Sequence, residues 1–309
     1  MPTSVLRASA ISVNRRDAES AITREARSRK SKNGAKMKRE VFYFSVAAIN
    51  QTSGTRNKLK RGLQIGTCGF GVSKKTYASY FSCVEVQQTF YQPPQLSTLE
   101  RWRNEMPGDF EFTLKAWQLI THEAKSPTYR RLKKELSASE KTAAGGFRDS
   151  AIVHEAWEVT VACARALKAR TILFQCPASF TPTRENVARL ENFFSAIDRH
   201  RLNLCWEPRG DWDRDVVRSL CANLALRHVV DPFLTKTVTP DRPYFRLHGR
   251  GGWRYKYETS ELEELAAMLP RKKFGYVFFN NSAMTEDALR FSETLSYSSL
   301  PKRLRAAKK

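Results

Sequence analysis

Nine polar residues recur at one kind of place in this sequence, at or near the end of a short apolar run that then enters a loop. Glu85 and Gln87 end the run 84–87, Lys115 ends 112–115, Gln175 ends 172–175 and Glu207 ends 204–207. Asp231 ends 227–231, Arg246 and His248 end 244–248, and Asn280 ends 277–280. Their types define a small set of chemistries. Glu207 and Glu85 can work as a general acid and base, their pKa values set apart by whichever sits nearer a cation. Lys115 can bind an anion, abstract a proton or attack a carbonyl as a Schiff-base amine if it is desolvated. His248 suits proton transfer near neutrality, and Asp231 completes a catalytic set of five. Arg246 and Arg209, with Arg130 and Arg131 further along the chain, offer forked donors for phosphate or carboxylate. Gln87, Gln175, Asn280, Tyr91 and His122 fill out a substrate-binding list. Glu85, Glu207, Asp231 and His248 are also the residues that would hold a divalent metal. No H-x-H or H-E-x-x-H spacing supports one, and none is assigned.

The bland alternative is a structural network, since three acids against two fixed cations and a titratable histidine nearly balance. Barrel interiors are ordinarily filled by branched apolar residues, however, and charges at strand ends are an inefficient way to stabilise a fold. That favours function. His154, His200 and His228 read as structural, whereas His122 carries more weight because it sits just after the 112–115 run, in Ile120-Thr121-His122.

Seven such runs, and a looser eighth over 64–68, require elements that bring their ends to one place. Strand side chains alternate, so Glu85 with Gln87, Thr113 with Lys115, Cys205 with Glu207, Arg246 with His248 and Phe278 with Asn280 share faces. Val84, Leu114, Trp206, Leu247 and Phe279 then point the other way. Helical periodicity lies between the runs at 96–105, with Ser97-Thr98 as its N-cap, and at 152–169, 186–200, 215–223 and 261–269. Strands alternating with helices predict an α/β fold, and eight such units predict closure into a (β/α)8 TIM-like barrel with reactive groups at the C-terminal strand ends. The connection over 122–149, rich in Lys and Arg and containing Gly145-Gly146, is long enough to be a lid or mobile insertion; its plainer reading is a solvated basic helix with a flexible tail. Gly249-Arg250-Gly251-Gly252 is a weak phosphate-loop signal after the seventh run.

The 309 residues divide by charge into a barrel over 62–300 and two basic ends. Residues 1–61 carry fifteen Lys/Arg against four Asp/Glu and lack an apolar stripe, so they read as a largely disordered extension. Residues 301–309 carry five Lys/Arg and no acid, which leaves the body at +6 of a total of +22. The basic tails make nucleic acid a candidate partner through counterion release; a solubilising or dispensable extension is the competing reading. Met37 is an alternative start, and the apolar stretch after it has a faint resemblance to a secretion signal. Six cysteines without a C-x-x-C pair predict neither a zinc module nor a disulfide scaffold, and a cytoplasmic location follows as the default. No apolar run approaches the roughly 20 residues of a membrane span.

Taken in order, certain strings resemble the DUF72 (YecE-like) family over about 63–295. They include Ile65-Gly66-Thr67-Cys68-Gly69-Phe70, Val84-Glu85-Val86-Gln87-Gln88-Thr89-Phe90-Tyr91, Phe174-Gln175-Cys176-Pro177, Glu207-Pro208-Arg209 with Trp212, and Phe245-Arg246-Leu247-His248-Gly249. The resemblance implies a TIM barrel and a pocket at the strand C-termini, and it implies no reaction. It also marks departures, because Cys68 and Phe70 stand where many members carry Ser and Trp, and Gln87 stands where many carry Asn. The expectation is an enzyme, a hydrolase or isomerase, using acid/base chemistry on a small anionic or nucleotide-like substrate with no cofactor specified. The alternatives are a non-catalytic nucleic-acid-binding barrel and a ligand-sensing one.

Overall fold

The computed structural model of the chain describes residues 62–270 and 275–298. The basic extension 1–61, the tail 301–309, Met37 and the nucleic-acid expectation attached to those ends lie outside the described residues.

The chain opens with β1 (Leu63–Thr67), α1 (Lys74–Tyr80), β2 (Cys83–Val86), α2 (Gln88–Tyr91), α3 (Leu96–Glu105) and β3 (Glu111–Lys115). A long connection follows, with α4 (Gln118–Thr121), a 3-10 turn (Pro127–Arg131), α5 (Ala138–Ala143) and α6 (Ala151–Leu167). The remainder alternates as β4 (Thr171–Gln175), α7 (Arg184–Ala196), β5 (Asn203–Glu207), α8 (Arg214–Asn223), β6 (Arg227–Val230), β7 (Tyr244–Leu247), α9 (Thr259–Met268), β8 (Gly275–Phe279) and α10 (Met284–Ser298). All strand pairs are parallel and form one eight-stranded sheet in which β1 pairs with β8 and each later strand with its chain neighbours. The expected (β/α)8 barrel is the fold observed.

Closure at the β1–β2 seam uses few ladder bonds. A single parallel bridge joins Cys68 to Glu85, and the Gly69 amide donates to the Glu85 carbonyl at 2.9 Å. Side chains bridge the rest of the seam, with Ser82 donating to Gln64 and Tyr77 linking both strands. Tyr77 of α1 is fully buried, and its hydroxyl accepts from the Thr67 amide at 2.9 Å and donates to the Cys83 carbonyl at 3.0 Å. Gly66 is required here because a Cβ would stand 2.4 Å from the Cys83 carbonyl oxygen.

Side-chain alternation sorts the strands into two layers of apolar packing. Outward residues meet the helices: Phe174 packs against Phe193 and Phe194 of α7 and Trp157 of α6, Trp206 against Trp212, and Phe279 against Phe291 of α10. Inward residues at mid-barrel form a second cluster of Cys68, Cys83, Leu173, Cys205, Val229, Tyr244, Tyr276 and Phe278. The polar strand ends lie above that plug, toward the C-terminal face. All six cysteines are buried and unpaired. No helix among the described residues is long and apolar enough to cross a membrane.

Two local expectations change. The N-cap of α3 is Gln95 rather than Ser97 or Thr98, because the helix starts directly after Pro93-Pro94 and the Thr98 amide already donates to the Gln95 carbonyl. The 122–149 connection is folded onto the barrel. The Gly145, Gly146 and Phe147 amides donate to carbonyls of α4, and a Cβ on Gly145 would stand 2.1 Å from the His122 carbonyl. Tyr129 adds a hydrogen bond to that same carbonyl at 2.7 Å, and Arg148 pairs with Glu123. The double glycine is therefore a close-packed strap rather than the end of a flexible tail.

Candidate active site

Alternation on β2, β5 and β7 places Glu85, Glu207 and Arg246 in the lumen just above the apolar plug. Arg246 is fully buried between the two acids. Its Nε donates to Glu85 at 3.0 Å and its Nη2 at 2.8 Å, a side-on fork, while its Nη1 donates to Glu207 Oε2 at 2.6 Å. The remaining oxygen capacity of Glu85 is taken by the Tyr244 hydroxyl, the Gln87 amide and the Cys68 thiol. Tyr244 in turn is bonded to Thr113 across the lumen at 3.0 Å. Glu207 Oε1 accepts from Arg209 Nε at 2.7 Å and lies 3.2 Å from His248 Nε2. Burial alone raises the Glu207 pKa, but Arg246, the His248 hydrogen bond and Arg209 outweigh it and hold the carboxyl well below its usual range. The same acids hold Arg246 firmly charged against the desolvation of its guanidinium. Beside Glu85, burial first and then that carboxylate push the Cys68 thiol well up, so it stays protonated.

His248 sits on top of this network. Arg209 Nη2 lies 2.6 Å from its Nε2, and the Asn280 amide lies 3.1 Å from its Nδ1. Burial lowers its pKa, more than the Glu207 hydrogen bond restores, so the ring is neutral at pH 7. Nε2 faces both the Arg209 donor and the Glu207 acceptor, while Nδ1 faces the Asn280 side-chain nitrogen. The expected titration near neutrality is therefore displaced to lower pH. Asp231 is committed to backbone: its oxygens accept from the amides of Phe233 and His248, each at 3.1 Å, and so fix the loops that follow β6 and β7. Glu85, Glu207, Asp231 and His248 do not form a metal donor set. Among the described residues no group of three or more His, Cys, Asp or Glu is placed to hold an ion, because Arg246 occupies the space between the two glutamates.

Above the network lies a cavity of about 500 Å³, open at the C-terminal face. Ten of the residues singled out by sequence line it: Gln87, Tyr91, Lys115, His122, Arg131, Gln175, Arg209, Arg246, His248 and Asn280. Glu85 and Glu207 lie beneath the wall, Asp231 behind it, and the exposed Arg130 turns back toward the Pro127 carbonyl. Gln88, Phe90 and Thr128 also line the cavity and were absent from the list. Gln88 and Phe90 were visible inside the second-strand string. Thr128 lay inside the long 122–149 connection, in the string that carries Arg130 and Arg131, without being singled out. The lining contains four cationic side chains, Lys115, Arg131, Arg209 and Arg246, and no carboxylate.

Lys115 differs from every other charge in the lumen. It is 6 % exposed, and its amine makes no hydrogen bond or ion pair with a described residue. Its Nζ lies 3.4 Å from the centroid of the Phe90 ring. Burial first, then Arg246, lower its pKa to about 7, with Glu207 and Glu85 opposing. The His122 ring also packs edge-on against Phe90, 4.9 Å between centroids, and burial and then Lys115 lower its pKa to about 3. Its Nδ1 is 2.7 Å from the Thr121 hydroxyl. At the rim, the Arg131 guanidinium stacks 3.5 Å from the Tyr91 ring centroid. Two amides of the glycine-rich turn after β7 are engaged, Gly249 donating to the Tyr257 hydroxyl and Gly252 to the Gly249 carbonyl.

The barrel has relatives. The chain is 24% identical over 244 residues to the UPF0759 protein YunF of Bacillus subtilis, covering 68% of this chain and 80% of that one. A DUF72 family protein from Enterococcus faecalis superposes with a TM-score of 0.59 at 20% identity, covering 76% of this chain and 95% of its own. One from Thermotoga maritima superposes at 0.57 and 24% identity, with 76% and 100% covered. These structures share the fold. The family model described as "Protein of unknown function DUF72" matches residues 74–306, and the chain belongs to that family.

Proposed function

We propose that the barrel is an enzyme that binds a small anionic substrate at its C-terminal face and moves a proton on it, with the Lys115 amine as the base. The observation that carries this reading is the cavity lining, four cations without a single carboxylate. Glu85 and Glu207 pair with Arg246 and Arg209, whereas Lys115 and Arg131 make no ion pair with a described carboxylate, so an entering anion meets an excess of positive charge in a site of low dielectric, where such attraction is strongest. The proton-transfer role goes to Lys115 rather than to the glutamates. Glu207 is held ionised by its cations, and Glu85 has every oxygen engaged. Lys115, with a pKa of about 7, is half neutral at neutral pH, which suits a general base. The neutral His122 beside it can face a developing oxyanion without adding a competing charge. Base, neutral imidazole and cations together suit proton abstraction next to a carbonyl, as in an isomerase, better than activation of water for hydrolysis.

The test is a turnover screen of small carboxylates and phosphate esters with the full chain, its Lys115→Arg variant and its Arg209→Gln variant. Wild type should consume at least one anion, with a rate that rises as pH passes through about 7. Lys115→Arg should bind it with no turnover, since arginine stays protonated, and Arg209→Gln should raise KM about tenfold, the loss of one charge-assisted contact. Anions that bind without being consumed would instead identify a ligand-sensing barrel. If none of the anions binds, the anionic-site reading itself fails.

A further inference from the structure

We infer that Lys115 forms a covalent imine with a small anionic carbonyl compound, an oxo acid or aldehyde acid, whose carboxylate faces Arg209. This rests on the anionic-site reading above, names the substrate class, and gives Lys115 the role of nucleophile in place of base. Three features of the geometry carry it. First, the amine is buried on the cavity wall without an ion-pair partner, although two carboxylates share its lumen, because Arg246 has claimed both. A lysine kept only to balance charge would be paired with one of them. Second, the Phe90 ring face lies 3.4 Å from Nζ, and Glu207 and Glu85 act on it at longer range. The ring face and the two glutamates can accept a positive nitrogen without bonding to it, as a protonated imine requires while its carbon is occupied by substrate, and burial with Arg246 keeps the free amine largely available as a nucleophile. Third, His122 lines the same cavity beside Phe90 with Nδ1 2.7 Å from the Thr121 hydroxyl, so its neutral ring is left to hydrogen-bond the substrate through Nε2.

The step balances without a co-reactant. The Nζ lone pair forms the C–N bond, the carbonyl oxygen takes up the two amine protons and leaves as water, and the imine nitrogen takes one proton from solvent. The iminium then withdraws electrons from the neighbouring carbon, which is the activation that proton transfer at that carbon needs. At neutral pH the neutral amine fraction at Lys115 exceeds that of an ordinary surface lysine by roughly a thousandfold.

Glyoxylate and sodium cyanoborohydride test it on the full chain, since the hydride fixes an imine as a stable carboxymethyl-lysine that peptide mass spectrometry locates. Labelling at Lys115 should be at least tenfold faster than at any other lysine, with a rate midpoint near pH 7 against about 10 for surface lysines. Acetaldehyde, which lacks the carboxylate, should label Lys115 at least tenfold more slowly than glyoxylate does. Lys115→Arg should lose the fast phase, and His122→Gln should slow it. Labelling spread evenly over the lysines, or equal rates for the two aldehydes, overturns the inference, and both readouts come from the wild-type chain whether or not a variant folds. If turnover of an anion needs Lys115 but no adduct forms, the imine is refuted and the base reading survives.

Discussion

Two layers of one lumen carry charge and treat it in opposite ways. In the lower layer Arg246 is fully buried, yet each side of its guanidinium meets a carboxylate, and those carboxylates meet Tyr244, Gln87, Cys68 and Arg209 in turn. One side chain higher, Lys115 is almost as buried and meets a phenyl ring. The lower layer behaves as scaffold, because desolvation of each ion is offset by bonds that leave no capacity for a substrate. The upper layer has unspent charge, which is what recognition requires. Burial of charge does not by itself separate structure from function; the completeness of its pairing does.

Arg246→Met should break the lower layer most severely. It leaves Glu85 and Glu207 buried without their common partner and should destabilise the fold by about 3–5 kcal/mol in urea titrations. A smaller loss would mean that the network is less tightly coupled than its distances imply. Glu207→Gln sharpens the comparison at about 2 kcal/mol at neutral pH, the value of a bond to a charged group. The sign of its pH dependence follows from the depressed folded pKa. Unfolded, Glu207 titrates near about 4.3, so its stabilisation is present above that value and is lost as pH falls through the folded pKa. The gap between wild type and variant should therefore close in acid. Lys115→Met should do the reverse in the upper layer and stabilise the fold by about 1 kcal/mol, since it removes an unpaired buried amine. The lysine's pKa falls from about 10.4 unfolded to about 7 folded, so the unfolded chain binds more protons between those values and wild-type stability rises with pH across that window. The gain from Lys115→Met should be greatest below pH 7 and fade toward pH 10 in thermal melts. Destabilisation instead would place Lys115 among the paired charges.

Much of the fold was legible because period-2 alternation and the strand–helix rhythm are local. The α3 span 96–105 and the alternation that sends Trp206 outward and Glu207 inward need only neighbouring residues. Short elements were less so: α1, α2, α4 and α5 are too brief for a periodic stripe, and α1 supplies the Tyr77 hydroxyl that bridges the seam. Asp231 and Lys115 ended their runs in the same way, and nothing local showed that one would hold backbone amides while the other faced a cavity.

By itself, then, the sequence determined the architecture and the set of side chains turned toward the axis, since both follow from periodicities carried by each segment alone. Only the tertiary structure decided which of those charges are spent on one another. Pairing depends on distances between side chains from β2, β3, β5 and β7, as far apart as Glu85 and Arg246, and those distances exist only once the strands are laid side by side. Arg246 reaches both glutamates and Lys115 reaches neither, and that asymmetry makes one layer a framework and the other a site.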